Sequence, residues 1–136
     1  MREILFRGKR IGTGEWVDGL IVKTNNCSVF IVNEADEYGC GICIQESSLD
    51  KNYEVDPSTV GQFTGLTDKN GQRIFESDIV RYMKNDVMVV VWNNESASFV
   101  GAYSAINFNY CATLINGHMY LEVIGNIHDN PELLED

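Results

Sequence analysis

GQFTGLTDKNGQRIFESDIV, Gly61 to Val80, sets a turn, a short apolar hinge and the entry to a strand in one continuous stretch. Asn70-Gly71 is the strongest turn signal in the chain, because both residue types tolerate positive φ. Asp68 just before it can bond the backbone two residues on. Phe75 to Asp78 suits a single helical or 3₁₀ turn. From Asp78 the run Ile79–Met83 alternates, with Ile79, Arg81 and Met83 against Val80 and Tyr82, which is the period of a strand.

The chain after this stretch reads as further strands. Lys84-Asn85-Asp86 turns back into VMVVVW, Val87 to Trp92, an apolar β-branched run suited to a strand covered on both faces. Ser98–Tyr103 is the next strand. YCATLI (Tyr110–Ile115) and MYLEVI (Met119–Ile124) flank Asn116-Gly117-His118 and predict a hairpin. Asp129-Asn130-Pro131 then leads to a short C-terminal helix over ELLED, with Asn130 as N-cap and Pro131 at the first helical position.

Before it, Glu3–Arg7 reads as the opening strand and WVDGLIVK, Trp16–Lys23, as the second. Gly8-Lys9 and Gly12–Gly14 read as turns. Gly19, inside the second strand, marks a bulge or a close backbone approach. Cys27–Val32 and Gly41–Gln45 are short strands on either side of an acidic loop, Asn33–Gly39. Tyr53–Val55 is extended, and Asp56 is biased away from helix by Pro57. No long stretch has a 3.6-residue period. The pattern predicts a mainly β protein with few short helices.

At 136 residues the chain fits a single domain over 1–136, with a possible subdivision at 1–60 and 61–136. The net charge is −10. It is unevenly spread: residues 1–33 sum to +2, 34–56 to −6 and 57–136 to −6. Such a surface repels phosphate backbones and disfavours ordinary duplex binding. No apolar run approaches the ~20 residues of a membrane span, and the N-terminus lacks a signal-peptide pattern. A cytoplasmic protein is expected. The four cysteines, Cys27, Cys40, Cys43 and Cys111, include one CxxC pair without the second pair a structural zinc site needs. No metal or cofactor is expected.

Two stretches go beyond generic β patterning: VGQFTGLTDKNGQRIFESDIV (Val60–Val80) and LEVIGNIHDNPELL (Leu121–Leu134). With Gly14-Glu15-Trp16 they closely resemble the YopX-like family of phage and prophage proteins. The resemblance spans nearly the whole chain, with one departure: Ser77 stands where the family typically has glycine. It implies an N-terminal β segment followed by an SH3-like, partly open barrel, carried by a mobile element in a bacterial host, and no particular activity. The residues carrying it are Thr64, Gly65, Leu66, Asp68, Asn70, Gly71, Ile74, Phe75, Glu76, Asp78, Glu122, Gly125, Asn126, Asn130 and Pro131, and a structural role is expected for them.

Chemistry-bearing residues are sparse. Asp68, Glu76, Asp78 and Glu122 would make a carboxylate metal site only if they converged, since shifted acids work in clusters. His128 has no nucleophile beside it in sequence, and His118 lies in a turn. The aromatics Tyr82, Trp92, Phe99, Tyr103, Phe108, Tyr110 and Tyr120 lack interleaved cations, because no lysine or arginine follows residue 85. They therefore read as core and protein-interface residues rather than a base-stacking platform. The leading expectation is a non-enzymatic interaction module that binds itself, as a homo-oligomer, or a phage or host protein. The alternatives are nucleic-acid binding through the basic patch Arg2, Arg7, Lys9 and Arg10, and a carboxylate-based metal enzyme.

Overall fold

The computed structural model describes residues 4–25, 28–32, 54–82, 86–102, 111–113 and 120–134. The strand expected over Gly41–Gln45, the acidic loop, Cys40, Cys43, His118, Tyr103, Phe108, Tyr110 and Arg2 lie outside them. The protein is mainly β, and among the described residues every strand pairing is antiparallel. Among the described residues no helix is long and apolar enough to cross a membrane. The chain divides into two compact units, Met1–Gln62 and Phe63–Asp136.

In the first unit β1 (Phe6–Lys9), β2 (Trp16–Lys23), β3 (Val29–Val32) and β4 (Glu54–Val55) pair in sequence order. The opening strand lies later than the sequence suggests, and Gly8-Lys9 is strand rather than turn. Its register is set by the pairs Gly8↔Val17 and Lys9↔Trp16, which turn Phe6 and Val17 onto a core of Val29, Ile31 and Val55. A bridge between Arg10 and Val55, with Asp56 N–H donating to the Lys9 carbonyl at 2.8 Å, brings the chain after β4 back to the end of β1. Asp56 is extended, as Pro57 dictates, and its carboxylate caps the 3₁₀ turn Pro57–Thr59 by accepting from Ser58 N–H at 3.0 Å. Gly19 is the expected close approach: a Cβ there would run into the Val32 carbonyl oxygen.

Strand β5 (Gly61–Thr67) begins in the first unit, where Gly61 and Gln62 pair with β1. Its later residues belong to the second unit and pair with β6 (Arg73–Phe75). The sheet of the second unit contains β7 (Asp78–Tyr82), β8 (Asp86–Asn93), β9 (Ser98–Ala102), β10 (Cys111–Thr113) and β11 (Leu121–Asn126), in the order β10-β9-β8-β7-β11. It does not close on itself. Met88, Val89 and Val90 are all at most 2% exposed, so β8 is covered on both faces, as its unbroken apolar run implies. One face carries the core of Ile74, Val80, Met88, Val90 and Leu121, against which Leu66, Tyr82, Phe99 and Val123 pack.

The expected hairpin between the last two strands is not formed. β10 pairs with β9, and β11 lies on the far side of β7. The reason is in the bonds that β11 makes. Leu121 accepts from Lys69 N–H at 2.9 Å, Val123 N–H donates to Asp68, and Ile127 N–H donates to the Ser77 carbonyl at 3.0 Å. Asp68 and Lys69 lie in the turn between β5 and β6 and Ser77 just before β7, all far earlier in the chain, and an Asn-Gly turn between two apolar runs cannot reveal them. The C-terminal helix is a single 3₁₀ turn, Pro131–Leu134, whose Leu133 N–H donates to the Asn130 carbonyl.

Candidate functional site

The residues that stood out in the sequence meet in the second unit. Strand β5 bulges against β6 between the pairs Phe63↔Phe75 and Thr67↔Arg73. The Thr64 hydroxyl fills the gap in the ladder. It donates to the Ile74 carbonyl at 2.8 Å and accepts from Leu66 N–H at 3.1 Å. Gly65, at φ 88°, supplies the left-handed backbone the bulge requires. The Thr-Gly-Leu run is thus backbone engineering, with Leu66 turned onto the core.

The turn that follows is organised by Asp68. Gly71 N–H donates to the Asp68 carbonyl at 3.0 Å and Asp68 N–H to the Gln72 carbonyl at 2.8 Å. Of the two turn residues only Gly71 has positive φ, 81°, so the loop is a three-residue turn closed by a glycine bulge rather than a two-residue one. The Asp68 carboxylate is 5% exposed and carries three bonds. Oδ1 accepts from Asn70 N–H at 2.8 Å and Gln72 N–H at 2.9 Å, and Oδ2 accepts from Val123 N–H at 2.9 Å. Burial alone pushes the carboxyl up, but the N–H groups of Val123, Gln72 and Asn70, with Lys69 nearby, outweigh it and hold Asp68 below its ordinary value.

Asp78 plays the same part at the next corner. It is 1% exposed, and its Oδ2 accepts from Phe75 N–H at 2.8 Å across the Glu76–Ser77 turn. Ser77 has φ 76°, the left-handed region in which glycine is at ease. Its N–H donates to the Val90 carbonyl at 2.8 Å and its carbonyl accepts from Ile127, so the conformation is imposed from both sides. Glycine would adopt this conformation without strain.

The second motif closes the node. The Asn126 side chain accepts from His128 N–H at 3.0 Å and Asp129 N–H at 2.9 Å, while Asn126 N–H donates to Asn130 Oδ1 at 3.3 Å. Gly125 lies under that side chain: a Cβ would sit 2.6 Å from Asn130 Oδ1. Asn130 therefore braces the turn with its side chain as well as opening the 3₁₀ turn, and Pro131 follows at its first position. Glu122, directly opposite Arg81 on β7, lies 3.2 Å from its guanidinium and 3.5 Å from the Lys69 ammonium. The hydrogen bond from Arg81, helped by the charges of Arg81 and Lys69, holds its carboxyl below the ordinary glutamate value against some desolvation.

The four carboxylates do not gather. Asp68 and Asp78 face backbone N–H groups, Glu122 faces two cations, and Glu76 is half-buried on the turn. Among the described residues no group of three or more His, Cys, Asp or Glu side chains could hold a metal ion. The basic patch is engaged as well. Arg7 and Lys9 lie over the Trp16 ring at 4.7 and 5.8 Å from its centroid, and Arg10 pairs with Glu15 at 3.6 Å. Sequence reading foresaw none of these partners, although Lys9↔Trp16 follows once the β1–β2 register is known.

Among curated proteins none matches the chain. Among solved structures the chain is similar to the crystal structure of protein EF1440 from Enterococcus faecalis, with 24% identity, a TM-score of 0.57 and coverage of 99% of this chain and 100% of that one. A likeness at this identity is one of fold. The YopX protein family model matches residues 5–135, which takes in both motif stretches and the bonds between them, and the chain belongs to that family.

Proposed function

We propose that the protein is a non-enzymatic interaction module of a phage or prophage that acts by protein–protein contact, a second copy of itself among its partners. The observation that carries this reading is the use of the motif carboxylates. Asp68, Asp78 and Glu122 each bind backbone or a cation of the same unit, which leaves the most distinctive residues of the sequence to build a scaffold. The first unit meanwhile exposes Leu20 and Ile21, successive residues that face opposite sides of β2, each 38% exposed. Apolar surface of this kind favours association. Size-exclusion chromatography with light scattering tests the self-association. A mass above one chain that falls to one chain in the Leu20→Lys, Ile21→Lys double variant is expected. A strict monomer at every concentration refutes it.

Nucleic-acid binding by the basic patch is the weaker reading, because Arg7, Lys9 and Arg10 lie against Trp16 and Glu15. A salt-dependent mobility shift of single-stranded or duplex probes would revive it.

A further inference from the structure

We infer that the Trp92 end of β8 is a docking surface for a basic protein segment, one that lays an arginine or lysine over the indole and an apolar residue beside it. This rests on reading the chain as a protein-binding module and names the chemistry of one partner.

Trp92 is 43% exposed, a large share for so large an aromatic ring. It is held in place rather than loose. Phe99, its direct cross-strand partner, meets it edge to face with centroids 5.0 Å apart, and the indole N–H donates to Asn94 Oδ1 at 2.8 Å. The 3₁₀ turn Pro131–Leu134 runs beside β8 and exposes Leu133 and Leu134, each at 37%. A rigid exposed aromatic is the usual anchor of a protein interface.

Charge selects the occupant. From residue 86 to the end the chain has seven acids and no lysine or arginine. Glu95, in the turn after β8, and Glu132, in the 3₁₀ turn, are both exposed. An indole is the best neutral partner for a cation, and the acidic balance of this part of the chain adds to that attraction. An acidic or phosphate-bearing partner is repelled by the same acidic balance, whereas a basic peptide is complementary to ring and charge together.

The test uses the full chain carrying Trp16→Phe, so that Trp92 is the sole tryptophan. It is titrated with a synthetic peptide of alternating arginine and leucine, and with a glutamate–leucine control. A saturable change in Trp92 emission with the basic peptide alone is expected. Binding read by calorimetry should weaken at least about fivefold in Trp92→Ala, and by a smaller factor in Glu95→Gln, Glu132→Gln and at high salt. Trp92→Phe, which keeps an aromatic face, should retain most of the affinity and guards against a folding artefact. Equal affinity for Trp92→Ala and the parent would mean attraction to net charge only and overturns the assignment. So does an emission change driven by protein concentration alone, which gives the surface to a second copy. Self-association through β2 is read separately by light scattering, so either proposal can fail alone.

Discussion

Replacing Asp68 by asparagine changes one atom of the side chain and tests whether this carboxylate holds β11 in place. An amide can keep its oxygen on Asn70 and Gln72 N–H, but its NH₂ then faces the Val123 N–H that Oδ2 accepts. One hydrogen bond to a charged acceptor, of about 1.5–3 kcal/mol, becomes a contact between two donors. The two remaining bonds weaken as the acceptor loses its charge. The relief of burying a neutral group offsets part of this, so the net loss is about 2–3 kcal/mol. Urea unfolding followed by Trp92 emission in the Trp16→Phe background reads this unit. Asp86→Asn, at the exposed start of β8, is the control and should stay within about 0.5 kcal/mol of the parent. The folded state holds Asp68 below its ordinary 3.8, so the ionised form is the one folding favours. That contribution is fully present above the ordinary carboxylate range and is lost as pH falls through the lower folded value. The acid-side decline in stability should therefore be shallower in Asp68→Asn. A loss under about 1 kcal/mol, with an unchanged acid limb, would show that the carboxylate does not hold β11.

Ser77→Gly should stabilise the protein by about 0.5–1 kcal/mol, because relief of the left-handed strain of about 1–2 kcal/mol exceeds the extra chain entropy glycine brings to the unfolded state; denaturant midpoints check it. Gly125→Ala should cost about 1–3 kcal/mol, since the new methyl meets Asn130 Oδ1 and forces the brace apart. Hydrogen exchange should show the Asn126 amide, which donates to that oxygen, losing protection first. Arg81→Met should move the Glu122 carboxyl titration, followed by NMR, back up toward the ordinary 4.5, because the Arg81 hydrogen bond is the largest cause of its lowering. No movement would assign the lowering to Lys69.

Strand content was legible wherever alternation or a β-branched run met a turn signal. Met88 to Val90, the middle of the run Val87 to Trp92, shows this: its burial on two faces followed from composition alone. What was not legible is partnership. Met119 to Ile124 looked like the return arm of a hairpin, yet β11 is fixed by Asp68, Lys69 and Ser77, residues some fifty positions earlier. A carboxylate that accepts from a distant N–H has no local period to betray it. The same limit hid the role of Thr64: a threonine in a strand reads as an ordinary β-former, and only the bulge beside Gly65 shows its hydroxyl completing the ladder. Register was lost for a simpler reason at β1, where glycine suggested a turn and cross-strand pairing with Val17 overrode it.

The placement of the two buried aspartates bears on how the second unit can meet another chain. A sheet offers a partner either its faces or its edges, and an open edge invites strand addition. At β11 the outer edge is taken: Leu121 accepts from Lys69 and Val123 donates to Asp68. At β6 the Phe75 N–H is given to Asp78. Both carboxylates thus satisfy edge N–H groups that would otherwise template an added strand, and both sit at corners built from the motif. Burying an acid costs far more than burying a neutral residue unless hydrogen bonds compensate. A neutral turn residue could have shaped the corner, but it could not have accepted three N–H bonds at once, as Asp68 does. At these two edges strand addition is therefore blocked, and any contact with another chain falls to side-chain surfaces.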